Sequence, residues 1–106
     1  MTRLQCESLP ARRRRRTLRN FVVRHPRSRQ PLDDWYKLVV SSDWTTPADV
    51  KRLFGSADIL PGNRVVFNIA GNTYRLVVKI EYQFHTVYIR FIGTHADYDK
   101  IDATTI

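Results

Sequence analysis

From Arg64 to Ile92 the chain alternates at a period of two, interrupted at Gly71-Asn72 and near Gln83–His85. A helix needs a period near 3.6, so this stretch is read as three consecutive strands, Arg64–Ile69, Thr73–Tyr82 and Thr86–Ile92. All three are rich in Val, Ile, Tyr and Phe, and Gly71-Asn72 suits a tight hairpin turn. Any fold for this chain must therefore contain an antiparallel meander near its C-terminal end.

In the middle strand Tyr74, Leu76, Val78, Ile80 and Tyr82 share one face, opposite Arg75, Val77, Lys79 and Glu81. In the last strand Val87, Ile89 and Phe91 face one way, and Tyr88, Arg90 and Ile92 the other. A two-residue Gly71-Asn72 loop sets Asn68 opposite Arg75 and Phe67 opposite Leu76. In the second hairpin two registers keep the apolar faces together: Lys79 meets either Tyr88 or Arg90. A slip by one residue would bury Arg90 among apolar side chains and is disfavoured. Either allowed register gathers Asn68, Arg75, Lys79, Tyr88 and Arg90 into one cationic patch.

Upstream the period is helical. Leu18, Phe21 and Val22 share a face from Thr17, and Pro26 stops that helix. Pro31 suits the first turn of a second helix, in which Leu32, Trp35, Tyr36 and Val39 form an apolar stripe. Thr46-Pro47-Ala48-Asp49 starts a third, short helix with Val50, Leu53 and Phe54 on its buried side. After the last strand, Thr94 with Asp97 again makes a capping box. A closing helical turn then holds His95 and Tyr98 on one side, beside the strand end that carries Arg90. These elements predict an α+β fold: two or three N-terminal helices, a three- to four-stranded antiparallel sheet and a short C-terminal helix. Residues 1–13 read as a loose extension or edge strand, and 14–106 as one domain.

With 106 residues, 42% of them hydrophobic, the chain supports one modest core. No apolar run reaches the roughly 18 residues that span a bilayer. The first residues lack the apolar stretch of a secretory signal. Cys6 is the only cysteine and points to a reducing compartment, so the expected location is cytoplasmic. The net charge of +8 is unevenly spread: residues 1–29 hold ten Arg and one acid. Beyond them stand eight basic and nine acidic residues. The run Arg12–Arg16 supplies long-range, salt-sensitive attraction to polyanions, or is simply a solvated arm.

The patch and the turn after it suit one reaction in particular. RNA is cut when its own 2′-hydroxyl attacks the adjacent phosphate. The catalyst must take the hydroxyl proton, stabilise negative charge at phosphorus and protonate the leaving oxygen. Arginine forks match phosphate oxygens, and His95 can exchange a proton near neutrality. Tyr98, Tyr88 and Lys79 could add a proton, a hydrogen bond or a stacking face. Arg64, Arg15 and Arg16 are further RNA-contact candidates. The three histidines and single cysteine show no metal-ligand spacing, and no glycine-rich phosphate loop is present. Neither a metal nor a small-molecule cofactor is therefore expected.

The strings RVVFNIAGNTYRLVVKIEY (64–82) and VYIRFIGTHADYDKI (87–101) resemble HigB-type toxins of bacterial type II toxin–antitoxin systems, within the RelE-like ribonucleases. TLRNFVVRHP, PLDDWYKLV and DWTTPADVKRLFGSADIL, between 17 and 60, are similar to that family too. The resemblance implies a metal-independent toxin that cleaves messenger RNA, often on the ribosome, and is neutralised by a helix-turn-helix antitoxin. It implies Arg75, Arg90, His95 and Tyr98 as active-site residues, with Lys79 and Asn72 as further members. The family usually begins with a short apolar strand before the first helix, and here the arginine-rich Ala11–Arg16 stands in that place. Two other readings remain: a non-catalytic RNA- or ribosome-binding module, and a degenerate toxin that acts only in a repressor complex.

Overall fold

The computed structural model describes residues 3–5, 11–71 and 73–106, with side chains described from Leu18 onward. Cys6 and Asn72, and the side chains of Arg15 and Arg16, lie outside the described residues. Three helices come before most of the sheet: α1 (Ala11–Arg24), α2 (Arg29–Val40) and α3 (Pro47–Leu53). The strands are β1 (Arg3–Gln5), β2 (Asp58–Leu60), β3 (Arg64–Ile69), β4 (Tyr74–Glu81) and β5 (Thr86–Thr94), and α4 (His95–Tyr98) follows directly. The sheet order is β1-β5-β4-β3-β2. Strands β2 to β5 are antiparallel, and β1 joins β5 in parallel as an edge.

Two expectations about the N-terminal half change. Helix α1 begins at Ala11, not Thr17, so the backbone of Arg12–Arg16 is helical rather than a strand or a loose arm. Arginine is among the better helix formers, so such a run suits a helical backbone. The strand expected near Ala11 is instead β1, at Arg3–Gln5. Both it and β2 escape a periodicity search because three edge residues show no alternation.

The apolar stripes are narrower than expected. In α2, Leu32, Trp35 and Val39 are buried, whereas Tyr36 is 47% exposed. In α3, Val50 is buried and Phe54 packs against the core, but Leu53 is 43% exposed. The inward line thus runs through i, i+3 and i+7 in α2 (Leu32, Trp35, Val39) and through i and i+4 at α3 (Val50, Phe54). A capping box starts α3, with the Asp49 carboxylate accepting from the backbone N–H of Thr45 and Thr46 at 3.0 and 3.2 Å.

The β3–β4 register is as expected, with Asn68 opposite Arg75 and Phe67 opposite Leu76. Ala70 and Gly71 both take positive φ (55° and 67°), and the Thr73 N–H donates to the Ala70 carbonyl oxygen at 3.3 Å across the turn. Between β4 and β5, Lys79 meets Tyr88, the first of the two allowed registers. A bulge then intervenes: Val78 pairs with Ile89, but Val77 pairs with Phe91, so Arg90 is the additional residue. Past the bulge the faces of β5 exchange. Ile92 packs with the helix-side core, and Phe91 joins the opposite face, the reverse of strict alternation.

The main core lies between the sheet and the helices, and Phe67 is its hub. The rings of Trp35, Phe54 and Trp44 lie 5.4, 4.9 and 6.3 Å from it, the first two edge-on. Such pairs add to the burial of a large ring. On the other face Val66, Val77 and Ala103 form a smaller buried cluster, roofed by Ile101, Ile106, Tyr98 and Leu60.

Removing the Phe67 ring leaves a cavity that three aromatic neighbours cannot all close. Phe67→Ala should cost about 3–5 kcal/mol in urea unfolding, whereas Phe84→Ala, at an exposed turn, should change it by less than about 0.5 kcal/mol. Equal effects of the two substitutions would refute this account of the core.

Candidate active site

The face of the sheet away from the helices is organised in three rows. Arg64, Lys79 and Tyr88 pair across β3, β4 and β5 in the first. Val66, Val77 and Phe91 make the second, and Asn68, Arg75 and Gly93 the third. The polar residues are thus on one face, as expected, but they do not form one continuous patch. The apolar middle row, with Val66 and Val77 fully buried under the C-terminal segment, divides them. Four residues of strand separate the outer rows, roughly 13 Å.

In the first row the charges are partly engaged. The Arg64 guanidinium donates to the Ile106 carbonyl oxygen at 2.9 and 2.7 Å and to that of Gly62 at 2.7 Å. Lys79 Nζ lies 3.1 Å from the Glu81 carboxylate. Tyr88 is half-buried beside Lys79. Arg64, expected to contact RNA, fastens the C-terminal segment to the sheet.

The third row is joined by α4. The Arg75 guanidinium donates to the Asn68 side-chain carbonyl and lies over the Tyr98 ring, 5.8 Å from its centroid. Asn68 in turn donates to the Ser56 carbonyl oxygen at 3.0 Å. Arg75 is therefore aimed from two sides, by a hydrogen bond and by a cation–π contact. Cross-strand pairing makes the Asn68–Arg75 contact legible in sequence. The Tyr98 contact depends on how α4 turns back over the sheet.

That turn is built by Gly93, Thr94 and Asp97. The Thr94 backbone N–H donates to the Asp97 carboxylate, and the Asp97 N–H donates to the Thr94 hydroxyl, each at 3.2 Å. A Cβ on Gly93 would come within 2.6 Å of the Phe91 ring and 3.0 Å of Asp97 Cβ, so only glycine allows this close return. His95 then opens α4, half-exposed, with Nδ1 3.5 Å from the Asp99 carboxylate. Tyr98 follows three residues later on the same side. Arg90 sits at the bulge, half-buried, three residues before Gly93 on β5.

Arg75, Tyr98 and Asn68 are in direct contact, His95 stands on the same four-residue helix as Tyr98, and Arg90 approaches along β5. Lys79, Tyr88 and Arg64 belong to the other row. Sequence reading assigned nothing to His25. Its ring packs on Phe21 and Tyr74, at 4.5 and 5.4 Å, and its charge is felt by Asp97. Only the return of α4 brings this residue from the end of α1 near the site, and no motif marks it. Among the described residues no three His, Cys, Asp or Glu side chains group as a metal site, and no helix is long and apolar enough to cross a membrane.

The backbone N–H of Thr94, and then the Thr94 side chain, hold the Asp97 carboxyl below its ordinary pKa, with Lys100 and His25 adding to the effect. A carboxyl depressed on folding stabilises the folded form above its unfolded value, about 3.9, and that stabilisation is lost as pH falls through the lower folded value. The Thr94 amide resonance should therefore titrate with a midpoint below about 3.9. Asp97→Asn should abolish the titration, and a midpoint at or above that value would refute the capping role.

Residues 28–101 match a family model described as HigB_toxin, the RelE-like toxic component of a toxin–antitoxin system. The chain is 26% identical over 90 residues to the mRNA interferase toxin HigB of Escherichia coli K12, covering 83% of this chain and 86% of that protein. It is 24% identical over 80 residues to the mRNA interferase HigB of Escherichia coli O6:H1, covering 74% and 78%. The mRNA interferase HigB of Shigella flexneri is 26% identical over 90 residues, with 83% and 86% covered. The family match runs from the residue before α2 to the end of the α4 turn, and so includes Arg75, Arg90, His95 and Tyr98. The chain belongs to the HigB toxin family, the RelE-like toxic components of toxin–antitoxin systems.

Proposed function

We propose that this protein is an endoribonuclease toxin that cleaves messenger RNA without a metal ion, using the joint between β5 and α4. The family match across that joint is the observation that carries the reading. The named relatives, each an mRNA interferase, support messenger RNA as the substrate.

In this mechanism the 2′-oxygen attacks phosphorus, the bond from phosphorus to the 5′-oxygen breaks, and a 2′,3′-cyclic phosphate results. Arg75, aimed by Asn68 and Tyr98, holds the non-bridging oxygens, with Arg90 alongside. A forked, permanently charged donor suits the dianionic transition state. His95 takes the 2′-hydroxyl proton and returns it to the departing 5′-oxygen, and Asp99 orients its ring. Tyr98 also offers its face to a base. Asn68 is a positioning residue, because its amide is committed to Arg75 and Ser56. Lys79 and Tyr88, two rows away, contact the RNA chain further along, and Arg15, Arg16 and Asn72 are further RNA contacts in this reading. The toxin acts in the cytoplasm on ribosome-bound message, and a helix-turn-helix antitoxin restrains it.

Induced expression of the wild-type chain should arrest growth and create new transcript ends. His95→Ala should lower the cleavage rate by about 10²–10⁴-fold, and Arg75→Ala or Arg90→Ala by about 10²–10³-fold, in folded and equally abundant protein. The new upstream ends should carry a 2′,3′-cyclic phosphate and the downstream ends a free 5′-hydroxyl, the products of attack by the 2′-oxygen. Arrest by all variants alike, without new ends, would instead favour a binding module. No arrest by the wild type would favour a toxin retained only for complex formation.

A further inference from the structure

The first row of the sheet face, beyond the apolar middle row from Arg75, holds side chains whose chemistry suits a nucleotide. Lys79 and Tyr88 stand opposite each other on β4 and β5. Glu81 lies two residues beyond Lys79 on the same face, its carboxylate 3.1 Å from Lys79 Nζ. Glu81 pairs with Thr86, which sets Tyr88 on its diagonal, a separation that long side chains bridge. Lys79 and Glu81 stay within reach of solvent, at 28% and 31% exposure, and Tyr88 is half-buried beside them. The three offer different things. An ammonium holds a phosphate, an aromatic ring stacks on a base, and a carboxylate accepts from the edge of a base.

We propose that Lys79, Glu81 and Tyr88 form a nucleotide subsite separate from the reacting groups, and that it selects against uracil. The proposal rests on the toxin reading for RNA as the ligand. The two polar rows lie roughly 13 Å apart, and a strand that advances about 3.4 Å per nucleotide when stacked covers about twice that when extended. The row between them, Val66, Val77 and Phe91 with Ala103 and Ile106 above, gives a phosphate no partner. An extended strand crossing it therefore reaches Tyr88 about two or three nucleotides from the bond that is cut. The selection comes from Glu81. A carboxylate only accepts hydrogen bonds, and it has acceptor sites for a base as well as for Lys79. Cytosine, adenine and guanine each present an amino donor, whereas uracil presents one N–H between two carbonyl oxygens that a carboxylate repels. An acidic peptide suits this group less well, because Glu81 would face it beside the lysine.

The test uses the full chain and short 2′-O-methyl oligonucleotides, which cannot be cut, one all cytosine and one all uracil. The wild type should bind the cytosine probe about fivefold more tightly. Glu81→Gln, whose amide both donates and accepts, should bring the two probes within about twofold of each other. Tyr88→Ala should weaken both by about tenfold and Tyr88→Phe by far less, as stacking requires. Lys79→Gln should weaken both and lower the salt dependence by about one phosphate contact. In mapped transcripts, uracil should be depleted about two or three nucleotides to one side of the wild-type cuts, and Glu81→Gln should restore it. Binding needs no cleavage, so a wild type that makes no cuts but keeps this binding pattern sinks the toxin reading and leaves the subsite standing. Equal wild-type binding of the two probes, a preference that survives Glu81→Gln, or Tyr88→Ala without effect would overturn the subsite. Cuts with no uracil depletion at that distance would overturn it too.

Discussion

Strand β5 carries one residue more than β4 can pair, and the arrangement of the site follows from where that residue is placed. Up to Ile89 the odd-numbered side chains of β5 enter the helix-side core. Without a bulge Phe91 would follow them, and Ile92 would face outward. Inserting Arg90 opposite the Val77–Val78 step reverses this: Phe91 seals the second cluster and Ile92 the first. The insertion also brings Gly93 opposite Arg75, at the one place where the chain can turn back tightly enough to bring Tyr98 over that arginine. Bulges bend strands and re-aim side chains, often beside functional sites, and this one does both.

The division of the polar face has a consequence for recognition. A continuous cationic sheet would attract any phosphate chain without placing it. Here the Val66–Val77–Phe91 row, with Ala103 and Ile106 above it, stands as an apolar barrier between two polar groups. A nucleic-acid strand crossing this face meets Arg75 and Tyr98 at one end and Lys79 and Tyr88 at the other. It cannot have one phosphate in both places. The C-terminal segment that forms the barrier is held by Arg64, so a charge that looks free in sequence is engaged in shaping the surface.

Much of this was legible from side-chain spacing. The meander, the Asn68–Arg75 pair, the stripe of Leu32, Trp35 and Val39, and the two capping boxes at Thr46 and Thr94 all follow local rules that tertiary structure did not override. The bulge was not legible, because Ile89, Arg90, Phe91 and Ile92 offer apolar residues at either parity, and a single arginine does not mark where the parity changes. The roof was hidden for a related reason. Ile101, Ala103 and Ile106 have no regular period, so nothing announced that they would bury Val66 and Val77. Edge strands of three residues and an arginine run that turns out helical escape pattern arguments equally. His25 reaches Tyr74 only through tertiary packing.

Charge and chemistry occupy different parts of this molecule. Ten of the arginines fall in the first 29 residues, whereas the remainder is close to neutral, with Asp97, Asp99 and Glu81 near the basic groups on the sheet. Long-range attraction for a polyanion therefore comes mainly from the arginine-rich segment of α1 and the start of α2, and the groups around Arg75, fixed by Asn68 and Tyr98, contribute short-range geometry.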